Sequence, residues 1–213
     1  MYCVKGNKTE EISNLQLQTL ANNYSSVEVD LGTGDGRYVY KTAATNKDRL
    51  YIGIDPSQKQ LEIYSKKANK AKLANILFLV GSLEVFPIEL TSFANRINVY
   101  LPWGTLLKEM VSPSKEHLDK LSNLLKKNGE LQVVLGYDEN LEPTETARLD
   151  LEKIDEDRLT LETIPTFENA GLKRKELKKL SKTELIELET TWAKKLSYGG
   201  NRPVFSMVFT KIS

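Results

Sequence analysis

The stretch Val27–Arg37, VEVDLGTGDGR, constrains this chain more than any other. Val27 to Leu31 reads as a short, apolar-leaning strand, Gly32, Gly34 and Gly36 as a sharp turn, and Arg37 as the start of a helix. Glycines at such a turn permit positive φ and let the backbone approach a ligand closely. The spacing is Gly-x-Gly-x-Gly, not the Gly-x-Gly-x-x-Gly of dinucleotide binders, which seat a pyrophosphate on the helix N-terminus. Asp35 lies inside the turn. A carboxylate there repels a phosphate and suits a cationic ligand or a ligand ammonium, which favours S-adenosylmethionine over a nicotinamide dinucleotide.

A second piece follows in register. Leu50 to Asp55 is a β-type run ending in an acid, 19 residues after Gly36. In doubly wound sheets an acid at the end of the second strand accepts hydrogen bonds from ribose hydroxyls. Asp55-Pro56 also has the form of a helix N-cap followed by proline at N1, so capping and ligand binding are both expected of Asp55.

Around these pieces strand and helix patterns alternate. Residues 1–12 read as a hairpin turning at Gly6-Asn7, followed by a short helix with Leu15, Leu17, Leu20 and Tyr24. Helices are expected over 37–45 and 57–71, and strands over 49–55 and 76–80. Residues 81–93 read as loop and short helix, and 97–101 as a strand. Helices are expected at 105–110 and 114–127, the second closed by Asn128-Gly129, then a strand at 130–137. The acidic segment 138–163 fits no simple period and reads as an insertion with one irregular helix. A helical turn at 166–170, an outer strand at 172–180, a helix over 183–196 and a final strand at 204–212 complete the chain. The expectation is a single α/β domain over 1–213. It is Rossmann-like, a seven-stranded, mostly parallel sheet with helices on both faces and a short N-terminal hairpin and helix within 1–24.

Length and composition agree with that. A chain of 213 residues, 40% hydrophobic and 28% charged, suits one globular domain. No apolar run approaches the roughly 20 residues of a membrane span, and Met1–Gly6 lacks a signal-peptide core, so a cytoplasmic protein without a membrane partner is expected. One cysteine and one histidine exclude an internal disulfide and a Cys- or His-rich metal site, so no metal is expected. The net charge of +1 conceals opposed patches. Lys66, Lys67, Lys70 and Lys72 cluster, as do the cations between Lys173 and Lys182, whereas Asp138–Glu162 holds ten acids against Arg148, Lys153 and Arg158.

In open sheets of this kind ligands bind outside the carboxyl ends of the strands, at the topological switch point. The loop Leu101-Pro102-Trp103-Gly104 therefore falls beside the reactive end of the cofactor. DNA methyltransferases acting on exocyclic amines place Asn or Asp before Pro-Pro-aromatic. Leu101 stands at that position here, so a ring nitrogen is the better target. Trp103 reads equally as a support for a planar substrate or as a core residue. Trp192 shares a helical face with Leu185, Leu188 and Leu196 and by periodicity reads as core. The basic, glycine-rich run after it, with Lys194, Lys195, Gly199, Gly200, Asn201 and Arg202, fits a phosphate backbone or a solvated hairpin.

Taken in order, DLGTGDGR, YIGIDP, PWGTLL and WAKKL resemble the aminoglycoside-resistance methyltransferases that modify adenine N1 in the decoding site of 16S rRNA. The first two motifs are common among methyltransferases, including those making 7-methylguanine in tRNA; the last two are far narrower. The resemblance implies a class I fold and a methyl donor, S-adenosylmethionine, touching Asp30, Gly32, Gly34, Asp35, Asp55, Glu84, Leu101 and Thr190. It implies that Trp103 and Trp192 sandwich the flipped adenine and so carry catalysis. It further implies that Lys66, Lys67, Lys70, Arg148, Lys195 and Arg202 meet RNA on the assembled 30S subunit, with the protein acting as a monomer. Gly200 departs from the pattern, standing where relatives carry arginine. A tRNA or small-molecule methyltransferase of the same fold, and a non-catalytic binding module, are the alternatives.

Overall fold

The structure, a computed structural model, describes residues 1–85, 90–198 and 202–212. Nine strands among these residues form one sheet: β1 Tyr2–Lys5, β2 Lys8–Glu11, β3 Ser26–Leu31, β4 Arg49–Asp55, β5 Ile76–Val80, β6 Ala94–Tyr100, β7 Leu125–Leu135, β8 Leu172–Lys179 and β9 Phe205–Lys211. Their order across the sheet is β2-β1-β5-β4-β3-β6-β7-β9-β8. The five strands from β5 to β7 are mutually parallel, and β9 and β8 close one side antiparallel. Seven strands were expected. The N-terminal hairpin adds the other two, because β1 pairs antiparallel with β5, Tyr2 opposite Val80 and Cys3 opposite Leu79.

Helices cover both faces. On one lie α1 Asn14–Ala21, α4 Gly104–Val111 and α5 Lys115–Leu124, packed with Val27, Val29, Leu31, Ile52 and Ile54. On the other lie α2 Arg37–Thr45 and α3 Gln58–Lys70, whose Val39, Ala43, Leu61 and Tyr64 pack with Tyr51 and Phe78. Side chains alternate along a strand, so Glu28 and Asp30 of β3 face the α2 side. Where α2 crosses the sheet that layer is polar. Glu28 accepts hydrogen bonds from Tyr38 and from Asn98, the latter at 2.7 Å, and Arg96 donates to Asn98 at 2.9 Å.

Three local expectations are corrected. The helix begun at Ser114 ends at Leu124, not at 127, and Asn128-Gly129 is no C-cap. That dipeptide lies inside β7, where the register against β6 slips between Ala94 and Arg96 and Asn128 takes φ 62°. Left-handed backbone serves a bulge as well as a helix end. Segment 138–163 holds more than one helical piece: α6 Pro143–Leu149, α7 Glu156–Arg158 and a π-turn Leu159–Thr163 that runs into α8 Ile164–Asn169. Its Leu149, Leu151, Ile154 and Leu159 join the main core.

The third correction matters most for the site. The single helix expected over 183–196 is two, α9 Lys182–Glu187 and α10 Thr191–Tyr198, broken where Glu189 adopts φ 56°. No described helix is long and apolar enough to cross a membrane.

Candidate active site

The glycine turn is stitched to the end of β4. Gly32 N and Thr33 N donate to the Ile54 carbonyl at 2.8 and 3.0 Å, and Gly34 N donates to Asp55 Oδ2 at 2.9 Å. Asp55 Oδ1 accepts from Ser57 N at 2.8 Å, while Ser57 is the N-cap of α3. The expected Asp55 cap is therefore displaced by two residues, which leaves Asp55 bound to the turn itself. The glycines differ in what they face. A Cβ on Gly34 (φ +59°) would meet no atom within 4 Å, whereas one on Gly36 (φ +78°) would strike Phe78. Gly34 is thus the open, ligand-side position, and Gly36 the packed one.

Three carboxylates converge here, with Glu28 beneath them. Burial pushes the Asp30 carboxyl up to about 7; the Thr33 hydroxyl opposes this, and the charges of Glu28, Asp55 and Asp35 add to it. Burial likewise raises Asp55, against the N–H groups of Ser57 and Gly34. Crowded acids in a dry turn are relieved by a cation, and an S-adenosylmethionine ammonium and sulfonium supply that charge. The residues present therefore fit this donor.

A sign follows for pH. Asp30 holds its proton to a higher pH folded than unfolded, so its contribution to stability is full below about 4 and is lost as pH rises through about 7. Binding of a cation favours the ionised form. Donor affinity should therefore fall towards tenfold per unit as pH drops below about 7, and Asp30→Asn should bind weakly with a flat profile. Calorimetric titration between pH 5.5 and 8 checks this; a wild-type affinity constant across that range would overturn it.

Beside the turn stand the two tryptophans. Leu101 leaves β6 with φ 52°, its N–H donating to Val134 O at 2.8 Å, and the chain turns through Pro102 to Trp103, the N-cap of α4. Strained backbone of this kind collects at functional sites. Trp192 is the second residue of α10, which Thr190 Oγ1 caps by accepting from Ala193 N at 2.9 Å. The two rings lie 5.4 Å apart between centroids, inclined at 40°. Trp192 is 42% exposed, so the helix break has taken it off the face that buries Leu185 and Ala193. Its periodicity-based reading as core is corrected. The pocket at the pair is walled by Leu101, Pro102, Gly136 and Tyr137.

Other expected residues divide between that pocket and places remote from it. Partial burial works against the Glu84 charge, but the Ser82 hydroxyl, a backbone N–H and the Thr105 hydroxyl together hold the carboxyl below its usual range, linking Glu84 to the first turn of α4 just after Trp103. The Leu101 side chain is buried with Val134 and Val204, so only its backbone can face a donor. Lys195 Nζ lies 5.0 Å from the Trp192 ring centroid. Arg148, paired with Glu145 at 2.7 Å, comes within 3.9 Å of where a Cβ on Gly104 would stand. Arg202 points inward, not at solvent. It pairs with Glu142 and donates to Gly136 O at 2.9 Å, lining the tryptophan pocket.

Lys66, Lys67 and Lys70 are not brought to this site. At 1.5 Å per residue they lie about 12 to 18 Å along α3 from its start. Lys66 pairs with Glu62 at 3.0 Å and Lys67 covers the Tyr64 ring at 3.9 Å. Gly199, Gly200 and Asn201, and part of the loop and helix expected at 81–93, lie outside the described residues. Asp35, expected to meet the ligand, is engaged by protein groups: Oδ1 accepts from Arg37 N at 3.1 Å and Oδ2 from Thr191 Oγ1 at 2.8 Å. Thr191, Tyr137 and Glu142 carried no sequence signal: Thr191 and Glu142 act through Asp35 and Arg202, far along the chain, and Tyr137, held by Thr146, reads locally as an ordinary strand-end residue.

A parallel sheet of this order, with a cation-seeking glycine turn after its central strand, defines a class I methyltransferase that uses S-adenosylmethionine. The family model for 16S rRNA (adenine(1408)-N(1))-methyltransferase, NpmA, matches residues 2–210, and the chain belongs to that family. A 16S rRNA (adenine(1408)-N(1))-methyltransferase of Escherichia coli is 32% identical over 210 residues, 96% of each chain. Among solved structures, a 30S ribosomal A1408 methyltransferase from an uncultured bacterium is 42% identical with a TM-score of 0.79, covering 100% of both chains. The aminoglycoside resistance methyltransferase NpmB1 is 35% identical with a TM-score of 0.84, again over 100% of both.

Proposed function

We propose that the protein transfers the methyl group of S-adenosylmethionine to N1 of adenine 1408 in 16S rRNA, within the assembled 30S subunit, and so confers aminoglycoside resistance. The observation that supports this most is the tryptophan pair standing beside the glycine turn. Bound donor supplies an electrophilic methyl on a sulfonium. The chain's residues then have little to do beyond placement. Neutral adenine carries a lone pair and no proton on N1, so the attack needs no general base, in keeping with pocket walls built of Leu101, Pro102, Trp103, Tyr137 and Trp192. Enzymes that modify bases take them out of the stack into such pockets, and holding nitrogen in line with methyl supplies much of the rate.

The indole faces hold the base, and the product ring, which gains positive charge, is favoured between them. A base stacked on both sides at about 3.5 Å per contact needs the rings about 7 Å apart. At 5.4 Å the pair is narrower than that, so it opens to admit the base. Arg148 and Lys195, at the rim, meet the RNA backbone; Lys66, Lys67 and Lys70 form a separate docking patch on α3. Arg202 shapes the pocket floor and reaches RNA only if it leaves Glu142. The protein acts in the cytoplasm as a monomer.

Primer extension on 16S rRNA from cells expressing the protein tests the assignment, because a methyl on the Watson–Crick edge stops the polymerase. A stop at adenine 1408, with raised resistance to aminoglycosides, is the expected result. Activity on deproteinised tRNA with none on 30S subunits would replace it.

A further inference from the structure

We propose that the hydrogen bond between Thr191 and Asp35 is a positioning link that couples occupancy of the glycine turn to the placement of Trp192. The inference rests on the reading of Trp192 as a base-stacking residue and adds how that ring is set. Thr191 Oγ1 donates to Asp35 Oδ2 at 2.8 Å across 156 residues of sequence. Asp35 is the acid inside the turn, and Thr191 is the residue before Trp192 on α10. Asp35 Oδ1 meanwhile accepts from Arg37 N at 3.1 Å, so the carboxylate is fixed to the start of α2 and can serve as an anchor.

A second clasp joins the same two regions. Lys41 Nζ of α2 lies 3.1 Å from Glu189 Oε2, at the break between α9 and α10. Both side chains are about half exposed, so this pair is worth little energy; it shows that the break lies against α2. The break gives α10 a left-handed joint at Glu189 about which to move. Thr190 caps the helix, so α10 moves as a unit. The indole pair must widen by about 1.5 Å to take a base, on the stacking distance used above. Through its first residue α10 is tied to the donor turn, and through Ala193 and Leu196 it packs beside Tyr100 and Leu101 next to Trp103, so a shift of the turn is passed along α10 to the indole pair. Donor binding that orders the turn then orders Trp192.

The chain's two tryptophans are the two in the site, so indole emission reports on this pair alone. The test uses full-length wild type, Thr191→Val and Thr191→Ser, with S-adenosylmethionine as the titrant and 30S subunits as substrate. In wild type, donor binding should change indole emission. In Thr191→Val, donor should bind within about threefold of wild type while that emission change is lost. Its kcat on 30S subunits should fall by about tenfold or more with KM little altered, as for a contact needed in the transition state. Thr191→Ser keeps the hydroxyl and should restore both.

A Thr191→Val protein with wild-type emission response and wild-type kcat overturns the link. So does equal impairment of the valine and serine variants, which marks a packing role. The substrate reading fails separately: a wild type inactive on 30S subunits sinks that reading, while the emission titration still decides the link.

Discussion

Trp192→Ala and Trp103→Ala should each lose about a hundredfold in methyl transfer to 30S subunits while binding S-adenosylmethionine within about twofold of wild type. Base–aromatic stacking contributes ~1–3 kcal/mol per base, and 1.4 kcal/mol is a factor of ten. Each ring alone therefore accounts for roughly five- to 150-fold. Attraction between the product cation and the indole face adds to that. The two losses should not multiply in the double variant, since a base held on one side only already lacks the enclosed geometry. Phenylalanine at either position should fall between. Single-turnover transfer of a labelled methyl group measures these effects. If either alanine variant works at the wild-type rate, the two rings do not clamp the substrate.

Gly36→Ala should cost stability first and donor binding only through it. Gly36 has φ +78°, and its Cβ would stand 2.3 Å from Phe78 Cε1 in a ring 2% exposed. Left-handed backbone costs a substituted residue ~1–2 kcal/mol, and overfilling a packed core adds roughly 1–3. About 3 kcal/mol in a domain of this size lowers Tm by about 10 °C. Gly34→Ala shares the backbone cost and escapes the clash, because a Cβ there meets open space. It should melt only a few degrees low and lose donor affinity at least tenfold, since the added methyl stands where the ligand approaches. Thermal melts with calorimetric titration separate the two. A Gly36→Ala protein melting with wild type would remove the structural reading of that glycine.

The parts legible in the sequence are those specified locally. Arg49–Asp55 and Arg37–Thr45 stand where the apolar runs and the glycine turn put them. Turn chemistry and strand composition act over a few residues, so a reader of the chain sees them directly. What escaped was decided at a distance. Pairing of β1 with β5 is a contact across more than seventy residues, and nothing in Tyr2–Lys5 announces it. The spacing of Leu185, Leu188, Trp192 and Leu196 continues through a helix break that no glycine or proline marks. The same spacing therefore hid both the break and the exposed indole. Asn128-Gly129 was ambiguous in kind: the dipeptide specifies a left-handed backbone, and the surroundings decide whether it ends a helix or kinks a strand. The Asp35–Thr191 contact has no local trace at all.

At the far rim of the sheet, β8 pairs among the described residues only with β9 and presents Lys173, Arg174, Lys175, Lys178 and Lys179 against the single acid Glu176. An unpaired strand edge is a template for adding a copy of itself. Aligned with its twin, this one would set ammonium and guanidinium groups opposite their own kind, an arrangement that weakens strand pairing. The molecule therefore carries its own deterrent to fibrous growth along that side, one that salt would blunt.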